Sequence, residues 1–524
     1  MMSYTSYGFL LLTAAGLAVT GILRQSGKRW VLLAMSLVFM AAAGGYETVL
    51  FWFVSTAAGF AAALLLEENF SAGRIFRVRR EEKRRTSGEG RMPGEDETPA
   101  GASAFAGRRK RGILLIVVAF QLALLAWFKY ANLPGYTAEA FYELTGREYE
   151  WELIERVSLT GISFYTLMII GYEIDVYRGE TKAVRSFPKF SLFTGYFGHF
   201  LQGPIDTWEG AGDSLASPAR VSFSDVQDGC LRILSGLFLK LVISERLAVM
   251  VDTVYGDYSS YGGGYLMLAA VAFSLQLYTD FCGCMDLVCG VSRLFGVRLA
   301  ENFRQPFFSE SVSEFWRRWH ITLGAFLRKY VYIPLGGNRK GVLRKYGNTL
   351  AVFLLSGLWH GGKWTFIIGT GLLQGVYMII GALLEPLAIA FFRFVRVKRT
   401  APILRLLRRI RTFVLITVGF VLFRSDTLTM AGEILLGMLR QSRYPEYAEG
   451  VWHSGLGAAD FAVLLIALTV LFLISLWREK RGEEKLLRGE AIRTIACFGM
   501  LFLILVFGCY GKGYDSSSFI YSRF

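Results

Sequence analysis

The chain has 524 residues, of which 53% are hydrophobic and only 19% charged, below the roughly 25% charged residues of soluble domains. Lys and Arg outnumber Asp and Glu by 57 to 42, for a net charge of +15. A mean hydropathy of +0.40 and recurrent apolar runs near the ~20 residues needed to cross a bilayer exclude a soluble nucleic-acid binder and point to an all-α polytopic membrane protein whose basic residues mark cytoplasmic loops.

The first apolar run, 7–23, has no basic segment before it and no small-residue cleavage site after it, so it is expected to remain as an anchor rather than be removed as a signal peptide. Arg24, Lys28 and Arg29 follow. Runs 30–43 and 47–66 lead to residues 71–112, which carry twelve Lys/Arg against six Asp/Glu. The stretch "RRTSGEGRMPGEDETPAGASA" has almost nothing to bury, and 71–111 is expected to be a flexible cytoplasmic loop. The amino terminus then lies outside. The run 112–128 exits. Residues 136–156 are acidic, with Glu139, Glu143, Glu148, Glu150, Glu152 and Glu155, and 161–176 returns to Arg178, Lys182, Arg185 and Lys189. Five crossings fit one orientation.

From Phe187 to Lys345 the pattern breaks. Stretches 187–208 and 299–320 are interrupted by Gly, Pro and charge. Non-helical backbone at membrane depth persists only where protein buries it or water lines it, so a polar cavity or funnel framed by re-entrant helices is predicted here. Further on, 393–411 holds eight Lys/Arg and no acid, a composition suited to anionic lipid heads. Runs 461–477 and 491–510 close the chain. Counting spanning and re-entrant segments together gives roughly eleven to thirteen helices.

Chemistry-bearing residues are sparse. The cysteines, Cys230, Cys282, Cys284, Cys289, Cys497 and Cys509, lack the spacing and neighbouring histidines of a zinc site and read as small polarizable packing residues; no metal is expected. There is no His-Glu-x-x-His, no phosphate loop and no Gly-x-Ser-x-Gly elbow. Of four histidines, His360 ends the apolar run of "NTLAVFLLSGLWHGGKWTF". As a helix, the twelve steps from Asn348 cover roughly 18 Å, about halfway through a ~30 Å hydrocarbon core. An ionisable group at that depth is a functional candidate, and a neutral imidazole can serve as a general base. His320 sits in "SEFWRRWHITL", between Arg317 and Arg318 on one side and Arg328 and Lys329 on the other. Trp316 and Trp319 suit a membrane interface. The following "YIPLGGNRKG", with Asn338, adds Gly amides to the cations, a setting for an anionic ligand arriving from the cytoplasm. Asp280 and Asp286 could orient a histidine or bridge broken helices. His199 and His453 read as structural.

Taken in order, "GISFYTLMIIGYEIDVYRGE" (161–180), "GPIDTW" (203–208), "SEFWRRWHITL" (313–323), "YVYIPLGGNRKG" (330–341), "GLWHGGKWTF" (357–366), "GFVLFRSDTLTMA" (419–431) and "FIYSRF" (519–524) resemble the membrane-bound O-acyltransferase family, in particular its bacterial branch of alginate O-acetylation proteins. The resemblance runs from about Gly112 to the end. It implies a helical fold around a central tunnel, with 1–70 as amino-terminal transmembrane helices, 112–411 as catalytic core and 412–524 as carboxy-terminal helices. It implies transfer of an acyl group, most simply acetyl, from a cytoplasmic thioester on coenzyme A or phosphopantetheine, with no tightly bound cofactor. The recipient is an extracytoplasmic partner protein or an exported polysaccharide, and the setting a bacterial plasma membrane. His360 then takes the catalytic position and His320 the second. Arg317, Arg318, Arg328, Asn338, Trp316, Trp319, Trp359, Asp280 and Asp286 become donor-binding or tunnel-lining candidates. Lys329, Gln374, Cys282, Cys284 and Gly198 depart from the family pattern. D-alanyl transfer to teichoic acid, and a glycan transporter or flippase, are the alternatives.

Overall fold

The computed structural model describes residues 2–87, 100–147, 154, 159–440, 451–482 and 487–510. Among them there is no β-strand; Phe303 and Trp319 form an isolated antiparallel bridge. Six helices are long and apolar enough to cross a membrane: Gln25–Glu67, Gly107–Lys129, Gly263–Leu294, Trp364–Phe394, Ala458–Arg481 and Glu490–Phe507. Shorter apolar helices cover Tyr7–Ile22 and Leu428–Leu439. The chain is a multi-pass helical membrane protein.

In order, α1 (Tyr7–Ile22) is followed by α2 (Lys28–Ser87), which joins the second and third apolar runs and kinks at Gly45, where φ is 77°. The loop expected over 71–111 is bracketed by helical backbone, since α2 continues to Ser87 and α3 spans Ala100–Lys129; its centre, 88–99, lies outside the described residues, as do 148–153 and 155–156 of the acidic segment 136–156 and the "FIYSRF" tail. Then come α4 (Leu133–Leu144) and α5 (Ile162–Arg178).

The centre is broken at 187–222 and 295–341, as its sequence predicts, whereas Gly263–Leu294 within the same stretch is one unbroken 32-residue helix. Helices α6 (Phe187–Gly195), α7 (Phe197–Phe200) and α8 (Asp213–Ala216) are short. Helices α9 (Phe223–Phe238) and α10 (Glu245–Gly256) are joined by a π-helical turn at Leu239–Ser244, and further π turns fall at Trp208–Gly212, Arg328–Tyr332 and Ile367–Leu372. Such turns are rare and gather at functional sites. The long α11 (Gly263–Leu294) is largely buried. It lies backbone to backbone with α9: a methyl group on Gly236 would stand 2.4 Å from the Gly283 carbonyl oxygen, and one on Gly290 2.8 Å from that of Gly229. The seven-residue spacing on both helices keeps these pairs on one face, and small residues let membrane helices approach this closely. The same interface buries Lys240, whose Nζ stands 2.6 Å from Glu245 and 2.7 Å from Asp280.

Next come α12 (Val312–Arg318), α13 (Ile321–Leu327) and α14 (Val342–His360), then α15 (Trp364–Phe366), α16 (Leu373–Phe394), α17 (Pro402–Arg424), α18 (Leu428–Leu439), α19 (Ala458–Arg481) and α20 (Glu490–Phe507).

Candidate active site

His360 is the last residue of α14. The helix starts beside the exposed cations Arg339, Lys340, Arg344 and Lys345 and runs 19 residues, a rise of roughly 27 Å. Gly361 and Gly362 end it. Three residues past His360, Lys363 pairs at 3.0 Å with the exposed Asp426. His360 therefore lies at the end of α14 away from those cations.

His320 occupies the two-residue joint between α12 and α13, after Trp319, with φ 47° and ψ 54°, a left-handed conformation that costs a residue with a Cβ about 1–2 kcal/mol. The joint is held on both sides by residues 302–304. Arg304 N–H donates to the Arg318 carbonyl at 3.0 Å, and Ile321 N–H donates to the Asn302 carbonyl at 3.1 Å. Asn302 Oδ1 also accepts from Thr322 N–H at 3.1 Å and from the Thr322 hydroxyl at 2.8 Å. Thr322 Oγ1 in turn accepts Ile205 N–H at 3.0 Å, tying the joint to the "GPIDTW" stretch.

These two backbones bring both histidine rings against one indole. The His320 ring centroid lies 5.5 Å from Trp359 and that of His360 lies 5.0 Å from it. Phe281 of α11 flanks His320 at 5.0 Å, and Phe423 of α17 flanks His360 at 5.5 Å, both edge to face. Both rings are buried, with 2% and 4% of their surface exposed. Lys129, at the end of α3, donates to the Trp359 carbonyl at 2.6 Å and to Ser163 Oγ at 2.9 Å. Its position after an apolar run was a signal available in the sequence; Ser163, Asn302 and Thr322 carried none, because their roles come from long-range contacts.

The other candidates divide. Trp359 is at the centre. Trp319 is 2% exposed and stacks on Phe315 at 5.4 Å, so it is a core residue rather than an interfacial anchor; the α12–α13 joint turns it inward. Trp316 donates to Gln374 Oε1 at 3.4 Å. Gln374 is itself buried, with Nε2 donating to the Gly369 carbonyl at 3.2 Å. Arg317, Arg328 and Asn338 are exposed, while Arg318 is held by Glu314 and Glu479, each at 2.6 Å. Asp280 is paired with Lys240, and Asp286 with Arg232 at 3.0 Å, so each carboxylate of α11 neutralises a cation. Lys329 pairs with Asp175 and Glu180, both at 2.8 Å. His199 is buried, with Nε2 2.7 Å from the Phe193 carbonyl, and His453 is exposed. Among the described residues no group of His, Cys, Asp and Glu could hold a metal ion. A cavity of about 270 Å³ lies between α11, the 305–308 turn, α17 and α19; it is walled by apolar residues such as Leu275, Phe413 and Leu468, and neither histidine lines it.

Residues 182–424 match the model of the membrane-bound O-acyltransferase family. The chain is 36% identical over 364 residues to a Pseudomonas putida protein named "Probable alginate O-acetylase AlgI", covering 69% of this chain and 70% of that one. It is 30% identical over 360 residues to the peptidoglycan O-acetyltransferase of Helicobacter pylori, covering 63% and 65%. To the teichoic acid D-alanyltransferase of Streptococcus thermophilus it is 27% identical over 239 residues, covering 43% and 57%. With two buried histidines around one tryptophan and these similarities, the chain belongs to the membrane-bound O-acyltransferase family and is an O-acyltransferase.

Proposed function

We propose that the protein moves an acetyl group from a cytoplasmic thioester, acetyl-coenzyme A or a phosphopantetheine-borne equivalent, to a hydroxyl of an exported glycan or of a partner protein that passes it on. The setting is a bacterial plasma membrane with the amino terminus outside. The carrying observation is the contact of both histidine rings with Trp359 at the end of α14 away from the basic loop. The names of the alginate and peptidoglycan relatives supply the acceptor class.

In this reading His360 removes the proton from the acceptor hydroxyl. The oxygen attacks the thioester carbonyl, the carbon–sulfur bond breaks, and the departing thiolate takes the proton from the imidazolium. His320 orients the donor carbonyl from its own place against Trp359. A placed base contributes about 10²–10⁴-fold, and alignment of two reactants in a closed site can contribute ~7–11 kcal/mol. The exposed Arg317 and Arg328 gather the anionic donor at the basic face.

The test measures base-labile acetate on the exported glycan in cells carrying the wild type, His360→Ala or no copy. The ester is expected to vanish in the last two, with glycan export unchanged. Ester retained in His360→Ala refutes the assignment of the base. Labelled D-alanine reaching the glycan in place of labelled acetate would replace the donor with that of the teichoic acid relative.

A further inference from the structure

We propose that Lys129 is a positioning residue for acyl transfer, its ammonium fixing the Trp359–His360 end of α14; this rests on His360 acting as the base. Lys129 is half-buried at the end of an apolar helix, where a cation is costly and marks a function by default. Two of its three donors are placed on named partners, the Trp359 carbonyl at 2.6 Å and Ser163 Oγ at 2.9 Å. Trp359 Nε1 donates at 3.3 Å to the carbonyl of the same Ser163. The three contacts close a ring, Lys129 to Trp359, Trp359 to Ser163 and Ser163 to Lys129, that grips Trp359 by backbone and indole at once.

The Trp359 carbonyl belongs to the last turn of α14, whose carbonyls have no partner within the helix. Water or a glycine cap would satisfy it without burying a charge. The ammonium does more, since it also stands 5.4 Å from the centre of the Trp359 ring, in the range of a cation–π contact. The indole it holds is the one both histidine rings touch, and His360 is the next residue. Freedom at Trp359 becomes freedom at His360, and a displacement of about 1 Å in a reacting group costs on the order of 10²-fold in rate.

The experiment compares wild type, Lys129→Met, Lys129→Arg, Ser163→Ala and His360→Ala, each checked for a monodisperse, folded product. Ester on the exported glycan is measured in cells, and ester formed against acetyl-coenzyme A concentration is measured on membranes. Lys129→Met is expected to lower the maximal rate by about 10- to 100-fold with the half-saturating donor concentration unchanged. Lys129→Arg should restore most of the rate, since it returns both donors and charge. Ser163→Ala should cost less, because its backbone carbonyl still holds the indole. A Lys129→Met protein with maximal rate within threefold of wild type, beside an inactive His360→Ala, overturns the positioning role and leaves the site standing. A raised half-saturating concentration at full maximal rate overturns it too, pointing instead to donor binding. Ester retained in His360→Ala overturns the site and this inference with it. If Lys129→Met does not fold, Lys129→Gln takes its place with a smaller expected drop, and full rate in that variant is likewise refuting.

Discussion

Replacing Asn302 with alanine should both destabilise the protein and disable the His320 joint. Asn302 is 1% exposed, and its Oδ1 accepts two hydrogen bonds from Thr322. Thr322 N–H belongs to the first turn of α13, where no carbonyl of the helix can serve it. Its loss orphans a buried donor, and an orphaned polar group costs about 1–3 kcal/mol. The hydroxyl can rotate and costs less, so the sum is about 2–4 kcal/mol, a large share of a typical stability of ~5–15 kcal/mol. The same bond helps hold His320 at φ 47°, which the backbone leaves when released, carrying the ring away from Phe281 and Trp359. Denaturant or heat unfolding in detergent would give the first effect and ester on the glycan the second. Asn302→Asp, which keeps the acceptor, should lose less than Asn302→Ala. Thr322→Val combined with Asn302→Ala should cost less than the two summed, since they share one contact. An Asn302→Ala protein within ~0.5 kcal/mol of wild type, the margin of an ordinary surface substitution, and with full activity would refute the reasoning.

Gly236→Ala should cost about 1–3 kcal/mol through overpacking, because its methyl would meet the Gly283 carbonyl at 2.4 Å; an unchanged thermal midpoint would contradict the α9–α11 packing. Lys240→Met leaves Asp280 and Glu245 without their shared cation and should cost about 3–5 kcal/mol, read as loss of folded protein in the membrane, with part of it recovered by adding Asp280→Asn. Arg317→Ala should raise the donor requirement without altering stability, an effect that shrinks at high salt. Arg318→Ala should instead lower stability, since that side chain is tied to Glu314 and Glu479; equal behaviour of the two would argue against separating their roles.

Apolar runs marked four of the six helices that, among the described residues, are long and apolar enough to cross a membrane, because composition over ~20 residues decides whether a segment enters a bilayer; Gly263–Leu294 and Trp364–Phe394 were not marked. The interruptions at 187–208 and 299–320 marked the broken centre, because Gly, Pro and charge cannot continue a lipid-facing helix. The rare histidines in Trp-rich motifs marked two rings that pack against the same Trp359. Trp319 looked like an interfacial anchor and is core, since aromatic residues suit both settings and only the turn at His320 decides. Asp280 and Asp286 could have oriented a histidine or paired with a cation, and the structure pairs them with Lys240 and Arg232, partners that sequence spacing does not identify.

The sequence by itself determined that the chain is a helical membrane protein with an interrupted centre, and which histidines to suspect, because hydropathy and local motif chemistry act over one or two turns of chain. Only the tertiary structure decided that His320 and His360 both pack against Trp359 and that Lys129, 230 residues away, holds that tryptophan. The physical reason is that periodicity defines the faces of each helix, whereas which faces meet is settled by close packing among helices far apart in the chain.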